Sequence, residues 1–268
     1  MIFSFLMAIS AYTLLSLGFI LQKKGISWMG WKGPKDRIFY ANLLTWLTGF
    51  IIMNAFPLPS AIALKILPSH IVSAFAGWGI IMLVIFSFLF LKEKIFRSDY
   101  GYALLIVAGI VLLNLFEKTT KTPPTAISGF SGKAILFALP VILIFSGLVK
   151  TLTTKVKTWI FAAVSGMSAG LMVVTLRLLV VHFGYQVSAY IGSVYLYLYL
   201  AFALLSFIGL QLALKNGPMI VAGPVQYSAT IIYPVIAALL VFQQTIDWVQ
   251  FLAIVIIVSG VVSILKKH

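Results

Sequence analysis

The chain contains no cysteine, only 5 acidic residues in 268, and a charged fraction of 9%. Without cysteine there can be no disulfide, no thiolate metal site and no thiol catalysis. Soluble domains carry about 25% charged residues and about 45–50% apolar ones. This chain is 62% hydrophobic, so too little polar surface remains to cover a water-soluble globule. Five acids stand against 19 Lys and Arg, a net charge of +14. In a soluble chain that would suggest nucleic acid. In an apolar one it is loop charge that orients helices, and no nucleic-acid partner is expected. Enzyme signatures are missing as well: no carboxylate pair, no His/Asp/Glu ligand cluster, no Gly-rich phosphate loop and no Ser/His/Asp set can be assembled. The expectation is therefore a non-enzymatic membrane protein with no cofactor and no metal site.

A helix that crosses the bilayer needs about 20 mostly apolar residues. Nine segments qualify, near 2–21, 38–56, 69–91, 100–116, 132–149, 157–183, 187–214, 219–242 and 248–265. The first has no cationic stretch before it and no small-residue cleavage site before Gln22, Lys23 and Lys24, so it is expected to remain as a helix. The predicted fold is all-α, a polytopic transmembrane bundle of about nine helices. Lys and Arg favour cytoplasmic loops. With the N-terminus outside, Lys23, Lys24, Lys32, Lys35, Arg37, Lys92, Lys94, Arg97, Lys150, Lys155, Lys157, Lys215, Lys266 and Lys267 fall inside; Lys65, Lys118, Lys121 and Lys133 fall outside. That asymmetry predicts N-out, C-in. The stretch 57–68 is too short to cross and is either a kinked extension or an interfacial turn. Short tails and the lack of a targeting segment fit a prokaryotic plasma membrane.

Sliding the sequence by 150 residues lays 64–94 over 214–244, matching Leu64 with Leu214, Lys65 with Lys215, Pro68 with Pro218, Ile81 with Ile231 and Leu89 with Leu239. Each copy reads Leu-Lys, a turn with Pro, a long helix, a polar turn, and a helix carrying Gly109 or Gly260. The reading is a duplication: residues 1–117 with four helices, a linker over 118–131 with Pro123 and Pro124, and residues 132–268 with five. On the orientation above, Pro68 lies outside and Pro218 inside, so the copies are inverted, as in many secondary transporters.

Several motifs carry a resemblance. Leu21-Gln22-Lys23-Lys24-Gly25, the run from Pro68 to Leu91-Lys92-Glu93-Lys94, Gly170 to Leu178, Ala213-Leu214-Lys215, Pro224-Val225-Gln226-Tyr227 and Phe242-Gln243-Gln244 together resemble the drug/metabolite transporter superfamily, in its EamA-like and NIPA-like branch. The resemblance implies two inverted halves and transport of a small solute or, in the NIPA-like branch, Mg²⁺. Here Ala74 and Ala76 replace the branch's Pro and Gly, and no acid lies between Ile38 and Pro68. Mg²⁺ prefers carboxylates and retained waters. The expected function is thus a carrier of a small organic solute, amphipathic or carboxylate-bearing, working by alternating access. A divalent-cation permease is the alternative, and a non-transporting membrane scaffold a third reading.

The candidate substrate-binding residues follow from polar groups at depth. Arg177 is the charge inside a span; it either lines a pathway and clamps a carboxylate or snorkels outward. Trp78 sits mid-span, where an indole N–H needs a partner, whereas Trp28, Trp31, Trp159 and Trp248 occupy interfacial positions. Gln226 and Tyr227 lie between Pro224 and Pro234, which free backbone carbonyls and predict a broken helix, with Ser228 and Thr230 as neighbours. Tyr195 and Tyr199 share a helical face from which Tyr197 points away. Lys65 and Lys215 read as interfacial anchors, His70 and His182 as hydrogen-bonded bystanders, and Gly77, Gly79, Gly166, Gly170 and Gly260 as sites of close helix contact.

Overall fold

The computed structural model describes residues 2–30, 36–64, 66–67, 69–115, 134–147, 152–183, 190–242 and 247–267. All regular structure among them is helical: α1 (Ile2–Gly25), α2 (Arg37–Asn54), α3 (Pro57–Leu64), α4 (Ser69–Ala74), α5 (Ala76–Phe86), α6 (Arg97–Leu115), α7 (Ala134–Gly147), α8 (Thr154–Phe183), α9 (Val194–Asn216), α10 (Met219–Phe242) and α11 (Trp248–Lys267). Among the described residues, seven helical stretches are long and apolar enough to cross a membrane, including 2–28, 37–63 and 154–176. With backbone polar groups satisfied inside each helix and apolar side chains outside, the chain is an integral membrane protein. Two of the nine expected spans are shorter apolar helices here, Ala76–Leu91 and Phe137–Gly147.

The segment 57–68 opens with the short helix α3, which continues the stretch 37–63 past a turn at Ala55 and Phe56, the kinked extension of the two sequence alternatives; Ala63 of α3 and Leu67 after it cluster with Ala8 of α1. One feature differs from the sequence reading. The expected break in α10 does not occur: the helix runs through both Pro224 and Pro234. Proline removes one donor and one hydrogen bond, but its φ is helical, and neighbouring helices can hold the axis. The interruption falls instead in the stretch 69–91. It breaks at Phe75 between α4 and α5, and closes in a π-helical turn, Ser87–Leu91, ended by Lys92 in the left-handed region at φ 54°. Phe75 precedes Ala76-Gly77-Trp78-Gly79, and closely spaced glycines weaken a helix and favour a kink.

The chain divides into two compact units. One comprises residues 1–117, 217–224 and 248–268, so α11 is grouped with the helices of the amino-terminal part. The other comprises residues 118–216 and 225–247. In the first, α1 lies along α2 and α6 along α11; in the second, α8 lies along α9. Small residues let these backbones approach, as expected where lipid supplies no hydrophobic drive. A Cβ on Gly18 would lie 2.7 Å from the Met53 nitrogen, and one on Gly49 2.6 Å from the Gln22 nitrogen. Across α8 and α9, a Cβ on Gly209 would lie 3.0 Å from the Ser165 nitrogen. The α6–α11 crossing is antiparallel, Lys267 at the end of α11 meeting Ser98 and Asp99 at the start of α6.

Candidate functional site

Two groups of hydrogen bonds link distant parts of the first unit. Midway along α1, the Ser16 hydroxyl donates to the Gly79 carbonyl at 2.7 Å, and Trp78 Nε1 donates to Thr13 Oγ1 at 3.0 Å. Thr13 in turn donates to the Ile9 carbonyl at 2.8 Å. The indole of Trp78 therefore has the partner its depth demands, while 37% of the residue remains exposed. At the end of the same helix, the Lys23 ammonium donates to the Gly217 carbonyl at 2.7 Å. The Glu93 carboxylate accepts the Met219 and Ile220 N–H groups at 2.7 and 2.9 Å, so it closes the N-terminus of α10 from 126 residues away.

That clasp follows a general rule in this chain. Asp36 caps α2, accepting from the Phe39 N–H at 2.9 Å. Asp99, fully buried in the first turn of α6, accepts from the Phe96 N–H at 2.8 Å and pairs with Lys267 at 3.6 Å. Asp247 immediately precedes α11. Among the described residues every carboxylate sits at a helix N-terminus, where the macrodipole and the unpaired N–H groups favour negative charge. No cluster of three or more His, Asp or Glu side chains occurs among those residues.

In the second unit the polar groups centre on the crossing of α8 with α10. Gly166 and Gly170 bring the two backbones together: a Cβ on Gly166 would lie 2.3 Å from the Gln226 carbonyl oxygen, and one on Gly170 2.7 Å from Pro234. Gln226, Tyr227 and Ser228 are buried. Thr230 Oγ1 donates to the Gln226 carbonyl at 2.9 Å, and the Gln226 side-chain amide reaches Thr230 Oγ1 at 3.4 Å. The Ser165, Ser168 and Ser228 hydroxyls are buried with no hydrogen-bond partner among the described residues. Ser165 does accept through its carbonyl, from Ser206 Oγ on α9 at 3.0 Å. Tyr195 packs on a cluster formed by Leu171, Val174, Leu178, Phe202, Tyr233 and Ala237; Tyr199 is half-buried one turn later.

Of the sequence candidates, Gln226 and Thr230 bond to each other, with Tyr227 and Ser228 between them in α10. Trp78 belongs to the first unit and is tied to α1. Arg177 is a residue of α8, but its side chain lies outside the described ones, as do those of His70, His182 and Lys65. Of the glycines, Gly77, Gly166, Gly170 and Gly260 stand where a Cβ would meet a neighbouring helix within 3 Å. The residues that sequence reasoning passed over are Thr13 and Ser16. Hydroxyls three residues apart on one face of an apolar helix were the available signal.

The close contacts repeat along the chain. Gly109 of α6 would place a Cβ 2.6 Å from Ile257 and 2.9 Å from the Ala253 carbonyl; Gly260 of α11 would place one 2.6 Å from Ile106 and 3.1 Å from the Tyr102 carbonyl. A shift of 151 residues turns Tyr102, Ile106 and Gly109 into Ala253, Ile257 and Gly260, so one contact is the other with its partners exchanged. A shift of 150 likewise carries the Ser16–Gly79 contact of α1 and α5 onto the Gly166–Ala229 contact of α8 and α10. Compared with protein-family models, curated proteins and solved structures, the chain finds no match.

Proposed function

We propose that the chain is a secondary transporter of the drug/metabolite type, built from two inverted copies of one four-helix unit and moving a small organic solute by alternating access. The observation that carries this reading is the exchange of partners at the α6–α11 crossing. When residue i of one element touches j of another, and the equivalent of j touches the equivalent of i, the elements are related by a local two-fold axis. For an antiparallel pair of spanning helices that axis lies in the membrane plane, which is the symmetry of inverted-repeat carriers. The agreement of the α1–α5 and α8–α10 contacts under nearly the same shift extends the equivalence: α1 with α8, α2 with α9, α5 with α10 and α6 with α11, leaving α7 as the extra helix of the second copy.

Carriers of this design expose a midplane site to each side of the bilayer in turn. The solute's chemistry follows from the side chains offered by the second unit: hydroxyl and amide groups of Gln226, Ser228 and Thr230, the aromatic surfaces of Tyr195, Tyr199 and Tyr227, and a guanidinium at Arg177. These suit an amphipathic or carboxylate-bearing solute. The divalent-cation alternative rests on the sequence resemblance, and the carboxylates of Asp36, Glu93 and Asp99 accept N–H groups at helix N-termini.

Reconstitution tests the reading. Saturable counterflow of an organic solute in liposomes, indifferent to Mg²⁺, is the expected result; Mg²⁺ flux would select the permease, and no flux with any solute the scaffold. Within that assay Arg177→Ala is expected to lower uptake of carboxylate solutes by roughly tenfold or more, with Arg177→Lys retaining part of it. Equal activity of both variants on every solute would refute the carboxylate assignment.

A further inference from the structure

The end of the first unit where α5 gives way to α6 carries, among the described residues, five Lys and Arg against two acids. The connecting residues 92–97 include Lys92, Lys94 and Arg97, and the last turn of α11 brings Lys266 and Lys267 to the same end. Both acids of this corner are engaged. Glu93 closes the N-terminus of α10, and Asp99 caps α6 and pairs with Lys267. Lys267 is further held by the Ser98 hydroxyl and lies 4.1 Å from the centre of the Phe96 ring. Lys92, Lys94, Arg97 and Lys266 are exposed, and none of their side chains forms an ion pair or hydrogen bond with another described residue.

Apolar residues that flank these cations along the chain are exposed as well. Phe88, Leu89 and Phe90 stand just before Lys92 on the π-helical turn, and Tyr100 and Leu104 follow Arg97 along α6. A ligand that satisfies both kinds of side chain has a negatively charged head and a long hydrocarbon body. We infer that this corner, Lys92, Lys94, Arg97 and Lys266 with the exposed Leu89 and Leu104, is a binding site for an anionic phospholipid of the surrounding bilayer. A zwitterionic lipid offers the same hydrocarbon but no net charge to four unbalanced cations, and clustered Lys and Arg at a membrane surface select anionic headgroups. The inference rests on membrane insertion and charge alone, and holds whatever solute the protein carries.

The test uses the full-length protein in mixed micelles of phosphatidylcholine and phosphatidylglycerol, with lipid retention read by native mass spectrometry. Wild type is expected to retain phosphatidylglycerol in preference, and excess inorganic phosphate should not displace it. The variant Lys92→Gln/Lys94→Gln/Arg97→Gln/Lys266→Gln should lose roughly tenfold or more of that preference. The charge-keeping variant Lys92→Arg/Lys94→Arg/Arg97→Lys/Lys266→Arg should keep it, which separates loss of the site from loss of the fold. Lys155→Gln/Lys157→Gln/Lys215→Gln, which removes charge from the second unit, should also keep it. Equal retention of the two lipids by wild type, displacement by phosphate, equal losses in both Gln variants, or loss in the charge-keeping variant would each overturn the assignment.

Discussion

The crossing of α1 with α5 and the crossing of α8 with α10 occupy the same register yet are held by different chemistry. In the first, Ser16 hydrogen-bonds to Gly79 and Trp78 to Thr13. In the second, Gly166 takes the place of Ser16, Ser228 that of Trp78 and Ala163 that of Thr13, and the hydrogen bonds give way to backbone contact. The hydroxyl of Ser228 is left buried with no partner among the described residues. Under the proposed duplication, geometry has been kept while the side chains diverged, a combination the proposed carrier would need: matching halves to move, and unlike linings to recognise one solute.

The contrast makes the sharpest prediction. Gly166→Leu should be far more damaging than Ser16→Ala, although the positions are equivalent. Leucine at 166 would drive side-chain carbon into the Gln226 carbonyl, a backbone atom with no freedom to retreat, and should cost about 3 kcal/mol or more. Reversible unfolding in mixed detergent micelles would register this as a large loss of stability or as failure to fold. Next in size, Gly109→Val and Gly260→Val should each destabilise by about 1–3 kcal/mol and by similar amounts, because each places a methyl group against an isoleucine in exchanged copies of one contact. A large effect from one and none from the other would break the equivalence.

Below these comes Glu93→Ala, expected to cost about 1–2 kcal/mol by exposing the N–H groups of Met219 and Ile220, with Glu93→Gln costing less because it still accepts hydrogen bonds. Smallest are Ser16→Ala and Thr13→Val, each near the average of about 0.6 kcal/mol for a hydrogen bond between membrane helices. Thr13→Val should also change the emission of Trp78 by removing its indole partner.

How much of this was readable beforehand depended on the range of each interaction. Helix positions were legible because runs of apolar residues are local: the expected span 219–242 is α10, and the expected span 248–265 is nearly all of α11. The close contacts at Gly166, Gly170 and Gly260 were legible because small residues in an apolar helix have few other uses. The role of Glu93 was not, since its partners lie 126 residues away and a lone acid between two lysines reads as loop charge. The continuous course of α10 was missed for a related reason: a proline tells which hydrogen bond is lost, and the tertiary neighbours decide whether the helix breaks. The Ser16–Gly79 and Trp78–Thr13 pairs join helices whose mutual register no single segment encodes.

Opposite insertion of the two proposed copies is what the transporter reading needs most, and sided labelling measures it directly. The natural chain has no cysteine, so single substitutions at the exposed Ile66, before α4, and at the exposed Lys215, before α10, report without background. A membrane-impermeant maleimide should reach Ile66→Cys from one compartment and Lys215→Cys only from the other. Modification of both from the same side would contradict the inverted duplication, and with it the transporter reading.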